Sequence, residues 1–265
     1  MIEITEITIF PIKSCKGIGV GSALVEPRGL QFDRRFMLVD SNARFVTQRQ
    51  HPKMSQITLA FADSGFCVSA PGMEPLLLPG TPAYASERNV QIWRSKLDAA
   101  IADVEANQWF SKYMGFPCEL AYMSDAHHRA VPNESAQFDD EVSFADAAPL
   151  LVISEGSLAD LNARLEEPVT MTRFRPNLVV NATTPFAEDN WQRIRVGDAE
   201  FAVAWPCSRC MLPTVDPETA EKHPRGEPIE TLKKFRRQGP SVMFGQNLIP
   251  RRLGRISVGD TVEIL

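Results

Sequence analysis

Phe201-Ala202-Val203-Ala204-Trp205-Pro206-Cys207-Ser208-Arg209-Cys210-Met211-Leu212-Pro213-Thr214-Val215-Asp216-Pro217 reads as an apolar strand, a proline break, two thiols three residues apart and a turn-rich exit. That order places Cys207 and Cys210 at the end of a buried strand, where a rigid scaffold presents side chains to a ligand. Arg209 lies between them, and a nearby cation favours the thiolate, the form of cysteine that binds metal or attacks.

Four readings of the thiol pair compete. A structural zinc site needs four ligands, usually from two pairs, and the only following histidine, His223, has no fourth partner at regular spacing. A thioredoxin-like pair opens a helix, but the prolines and β-branched residues from Met211 to Pro217 oppose one. The other two readings are half-buried thiols acting as small hydrophobes, and one cysteine donating a thiolate to a soft metal held mainly by another group. The motif by itself leaves these two open.

Working outward, 265 residues suffice for a large core in one or two domains. Hydrophobic content of 44% and charged content of 23% are those of a soluble globular protein. A formal net charge of -5 argues against a spread nucleic-acid surface. Five irregularly spaced cysteines make no disulfide framework, so a reducing cytoplasm is the expected location. The N-terminus lacks the basic and apolar regions of a signal peptide, and no apolar run is long enough to span a membrane.

Along the chain, short strands are expected at 2–10, up to Val25, at 36–39 and from Ile57 to Leu78, separated by turn residues. The apolar positions Leu97, Ile101, Val104, Trp109, Phe110 and Tyr113 predict a helix over 97–114, closed by Gly115. Polar residues 124–143, with His127, His128 and Asp139-Asp140-Glu141, form a long surface loop, a candidate lid or boundary. A second half opens with an apolar strand at 149–153 and a helix from Ser154 to Leu165, which Ser154 or Ser157 can cap. Strands are expected at 178–180, 193–196, 199–205, 255–258 and 261–265, with a helix at about 230–237. The Val-Gly-Asp triplets at 196–198 and 258–260 look like hairpin turns. The fold class is mainly β with few helices (α+β), in a β-barrel or sandwich.

Lys13, Arg34, Arg35, Arg49, Arg173, Arg175 and Arg209 each sit in a loop or strand end beside an apolar run. Arginine binds phosphate or carboxylate in bidentate fashion, so convergence of several would make a polyanion site. The competing expectation is local pairing, such as Arg34 with Asp33.

These residues resemble the MOSC-domain family, in the form with a MOSC N-terminal β-barrel domain followed by a MOSC β-barrel domain. The chain is similar to the mitochondrial amidoxime-reducing component and its bacterial relatives that reduce N-hydroxylated bases. Phe10-Pro11-Ile12-Lys13-Ser14-Cys15-Lys16-Gly17, Asp33-Arg34-Arg35-Phe36 and Ser154 to Asn162 carry the likeness. Phe174-Arg175-Pro176-Asn177, Cys207-Ser208-Arg209-Cys210, Thr214 to Pro217, Glu227 to Leu232 and Phe244-Gly245-Gln246 extend it over essentially the whole chain. The resemblance implies domains at 1–123 and 124–265, with a boundary loop at about 124–143. It also implies a molybdenum cofactor: a phosphorylated pterin (molybdopterin) whose dithiolene holds molybdenum. Cys210 is then the expected metal ligand and catalytic residue. Lys13, Ser14 and Arg35, with Arg34 as the alternate, would hold the pterin phosphate or ring. Arg175, Asn177, Ser208 and Arg209 would line the cofactor, and Asp146 would contact it. Relatives tend to carry a hydroxyl residue just after this aspartate, where this chain has Ala147-Ala148. The implied activity is reduction of small N-hydroxylated compounds (amidoximes, hydroxylamines, hydroxylated bases). Electrons would come from a separate reductase or ferredoxin-type protein, with no nucleic-acid or membrane partner. The alternative is a non-catalytic carrier of the cofactor or of sulfur on Cys210.

Overall fold

The computed structural model describes residues 1–81 and 86–265. The first half lays down β1 (Ile4–Ile9), β2 (Ile18–Val20), β3 (Ser22–Glu26), β4 (Gly29–Leu30) and β5 (Phe36–Asp40). It continues with β6 (Thr58–Ala62), β7 (Gly65–Ser69), β8 (Leu76–Pro79), β9 (Ser86–Ile92), β10 (Ser95–Ile101), α1 (Val104–Met114) and β11 (Cys118–Tyr122). The second half holds β12 (Leu150–Ser154), α2 (Glu155–Asn162), β13 (Leu178–Val180), β14 (Arg193–Val196) and β15 (Ala199–Ser208). After them come α3 (Ile229–Phe235), β16 (Arg237–Gln238), β17 (Ser241–Arg252), β18 (Gly254–Ser257) and β19 (Val262–Ile264). The chain is mainly β, as its patterning predicts.

The largest sheet has nine strands in the order β19-β14-β15-β17-β12-β13-β1-β2, with β16 beside β17. Both ends of the chain therefore share it. Ile4, Ile7 and Ile9 from β1 pack with Leu150, Val152, Leu178, Phe201 and Leu248 in one buried cluster. β18 pairs with β3, carrying the second half back onto the first. The remaining sheets are β5-β11-β10-β9 and β6-β7-β8. Their core, with Phe36, Leu38, Phe66 and Leu120, is closed by Ala106, Phe110 and Met114 of α1.

Three expectations need correction. The helix foreseen over 97–114 is a strand followed by a shorter helix. Leu97, Ala99 and Ile101 bury at period two in β10, and the Asp103 carboxylate caps α1 by accepting from Ala106 N at 2.8 Å. The 97/101 spacing does not separate the two, because positions i and i+4 share a face in a helix and in a strand alike. The turn at 196–198 does join a hairpin, β14 to β15. The turn at 258–260 does not, because β18 pairs with β3 and β19 pairs with β14. Finally, the strand leading to the thiols does not stop at Pro206. β15 continues to Ser208, and beyond Val203, which still bonds Gln192 O, it pairs only with β17 among the described residues, an edge position that tolerates a residue without an N–H.

Candidate functional site

Where β15 runs out, a cavity of about 520 Å³ opens between the two halves. That volume is in the range that takes an organic ligand of drug or cofactor size. Its walls include Lys13, Ser14, Arg34, Asp146, Arg175, Asn177, Cys207, Ser208, Arg209 and Cys210. Of the scattered cations, four thus line one space against a single lining carboxylate.

The other cations lie elsewhere. Arg35, expected to hold the pterin phosphate or ring, is not among the residues lining the cavity. Its guanidinium is held by Met123 O at 2.9 Å, by Glu26 and by Asp125. Arg34 occupies the cavity instead, from a turn with φ 50°. Arg173 pairs with Asp216, and Arg49 stacks over the Trp93 ring at 4.3 Å.

Three non-glycine lining residues have positive φ: Ser14 at 70°, Arg34 at 50° and Arg175 at 55°. Such conformations are costly and persist where the surrounding structure enforces them, commonly at ligand sites. The enforcing contacts are visible. Arg34 Nη1 reaches Asp33 and Asn177 Oδ1 (3.1 Å), and Arg175 Nη1 donates to Cys15 O at 2.7 Å. Both guanidinium groups stack on Phe10, at 4.6 and 4.2 Å. Arg175 has no ion pair among the described residues, and burial together with Arg34 pushes it down to about 10. Asn177 is turned mainly to the scaffold: its Oδ1 also accepts from Leu151 N (3.2 Å) and its Nδ2 donates to Thr8 O (3.0 Å).

Lys13 is buried, and that burial pushes its ammonium down to about 8 despite the opposing pull of Asp146. Its Nζ donates to Phe144 O at 2.8 Å and to Asp146, leaving one of three N–H bonds for a ligand. Partial desolvation would raise the half-exposed Asp146 carboxyl. Lys13 and the Trp93 indole N–H, which donates at 3.0 Å, instead hold it well below the usual carboxylate range. Arg129 braces this wall from behind, donating to Ser143 O (2.8 Å) and Ala145 O (2.7 Å). Neither Trp93 nor Arg129 was legible as a site residue, since their roles depend on contacts 53 and 16 positions away. Ala147 and Ala148 do line the cavity but supply no side-chain polar atom.

Cys210 is exposed on the cavity wall, its Sγ facing Leu212 N at 3.5 Å. Arg209 does not serve it in the way its position between the thiols implies. Nη1 donates to Cys207 Sγ at 2.9 Å and Nη2 to Phe174 O. Among the described residues no group of three or more His, Cys, Asp and Glu side chains could hold a metal ion. A metal bound at Cys210 would need its other ligands from a bound group. The donors present suit such a group: one accessible soft sulfur, and cations with spare N–H groups for an anionic end.

Residues 1–117 match the MOSC N-terminal beta barrel domain and residues 139–263 match the MOSC domain. Mitochondrial amidoxime-reducing component 1 of Mus musculus is 36% identical over 282 residues, covering 99% of this chain and 82% of that protein. Its Homo sapiens counterpart is 33% identical over 279 residues, with coverage of 99% and 82%. Molybdenum cofactor sulfurase of Oryza sativa subsp. japonica is 31% identical over 265 residues, covering 92% of this chain and 32% of that protein. On this two-part match and full-length likeness the chain belongs to the MOSC family, carrying a MOSC N-terminal beta barrel domain ahead of a MOSC domain.

Proposed function

We propose that the protein binds a molybdenum cofactor and reduces small N-hydroxylated compounds, with electrons delivered by a separate reductase or ferredoxin-type protein. The observation that carries this is the exposed Cys210 sulfur on a cavity whose lining has four cations and one carboxylate. Likeness to amidoxime-reducing components over nearly the full chain supports it.

On this reading Cys210 donates its thiolate to the metal. Lys13, Ser14, Arg34 and Arg175 hold the phosphorylated end, while Asn177, Ser208 and Arg209 border the pterin. The bound cofactor would supply two-electron oxygen-atom chemistry, which no side chain here provides. The protein contributes the rest. Its cations offset ligand charge in a partly dry cavity, where electrostatic contacts strengthen. Converting N–OH to N–H and water consumes two electrons and two protons.

The test is protein purified from a host that makes the cofactor, assayed for molybdenum, for pterin released on denaturation, and for reduction of benzamidoxime. Reduced methyl viologen and a pyridine nucleotide alone are compared as donors. Wild type should carry the metal and turn over with the viologen only, and Cys210→Ala should lose metal-dependent turnover. Retained molybdenum-dependent reduction in that variant sinks the assignment, and turnover on pyridine nucleotide alone sinks the separate donor. The carrier reading keeps one specific support, the likeness to a cofactor sulfurase. It gains if the loaded protein passes its cofactor to an apo-enzyme yet reduces no hydroxylamine.

A further inference from the structure

The cavity lining also holds uncharged residues that the cofactor assignment leaves unused. In β15, Ala199, Phe201 and Val203 point at the main core with period two. Continued alternation would send Trp205 there as well. A β-bulge prevents this: Val203 pairs with Leu248 and Trp205 with Asn247, so Ala204 is an extra residue. Bulges of this kind re-aim side chains beside functional sites. Asn247 Nδ2 secures the arrangement by donating to Trp205 O at 3.2 Å.

Trp205 is thereby moved to the opposite face of the sheet. There it packs against the cluster of Val131, Val142, Ala145 and Ile249 and lines the cavity together with both thiols. Its indole N–H has no partner among the described residues. Val131 and Ala136 bracket Asn133 and Ser135, which also line the cavity. The Asn133 Oδ1 is taken by Ser135 N at 2.8 Å, while its amide nitrogen has no partner among the described residues. An aromatic side chain and an uncharged hydrogen-bond donor therefore line the same cavity as the charged residues.

Resting on the reading proposed above, we infer that Trp205 is a specificity-determining residue. It stacks the aromatic part of a neutral N-hydroxylated substrate, and Asn133 donates a hydrogen bond to that substrate's polar edge. Substrates too small to reach the indole gain nothing from it.

The experiment compares kcat/KM for benzamidoxime and for hydroxylamine in wild type, Trp205→Phe, Trp205→Leu and Asn133→Ala, with reduced viologen as donor. Molybdenum content and Tm are measured for each. Trp205→Leu should lose about tenfold or more on benzamidoxime, chiefly through KM, as removing an aromatic anchor from a binding face does. Trp205→Phe keeps a ring and should lose less than about threefold. Hydroxylamine reduction should stay within about threefold throughout. Equal losses on both substrates, or no loss on either, overturn the inference. If wild type reduces neither, the proposed function has failed, and binding alone decides the inference. Saturable quenching of tryptophan fluorescence by benzamidoxime, absent in Trp205→Phe, would support it; no saturable binding overturns it.

Discussion

At Lys13 the competition between burial and a partner can be read directly. Burial pushes the ammonium down to about 8, and Asp146 limits the fall. An anionic ligand needs the charged form. A group titrating at about 8 is roughly nine-tenths protonated at pH 7 and one-tenth at pH 9. Affinity of cofactor-free protein for inorganic phosphate should therefore fall up to about tenfold between those pH values. Complex formation on the alkaline side should take up a proton, because the anion raises the lysine again. Calorimetry in buffers of differing ionisation enthalpy measures both effects, and Lys13→Met should flatten the pH dependence. Arg175, pushed down only to about 10, stays charged across this window and cannot produce the change.

Among the elements, β15 and β17 show how strands are bent to make a site. One irregularity at Ala204 turns Trp205 out of the core; another falls between the Pro206–Gln246 and Ser208–Met243 pairs. Gly245 lies at the second with φ 81°, and a Cβ there would stand 2.6 Å from Ile153 Cγ1 and 2.9 Å from Val152 O. Gly245→Ala should lower stability by about 1–3 kcal/mol, read as a shifted denaturant midpoint, since it adds backbone strain to a backbone clash. An unchanged midpoint would mean the bulge relaxes freely. The start of α2 has a different purpose. Ser154 Oγ caps Ser157 N at 3.1 Å, and the fully buried Glu188 accepts from Ser154 N, Ser154 Oγ and Ser157 Oγ. Gly156 fits because any Cβ would meet Ala182 O and Thr183 O at 2.6 Å. The Ser-Glu-Gly-Ser motif that helped reveal the family thus secures a helix cap.

At the level of the whole molecule, the halves are joined by β1 lying beside β13 and by β18 lying beside β3. The cavity draws Lys13, Ser14 and Arg34 from one half and Asp146, Arg175 and Cys210 from the other. We expect heat to unfold the protein in one cooperative transition, with calorimetric and van't Hoff enthalpies in agreement. A fragment of residues 1–123 expressed alone would leave β1 without its β13 neighbour and should not give the dispersed spectrum of a folded protein. Two separable transitions would show that the junction is weak.

Much of this was open to reading from the residues in order. Period-two alternation marked β1, β7 and β14, a short apolar run marked β5, and Gly115 marked the end of α1, because these signals are local. β17 escaped notice because it is buried on both faces from Phe244 to Pro250, so it shows no alternation, and its Gly245, Asn247 and Pro250 look like turn residues. The β-rich class, the thiol pair and the set of candidate cations follow from residue type and spacing alone. Which arginine of the 34–35 pair faces the cavity, which thiol meets Arg209, and that Trp205 leaves the core were settled only by the tertiary structure. A positive φ, a bulge or a hydrogen bond across more than a hundred residues redirects a side chain without changing the local pattern from which its neighbours are read.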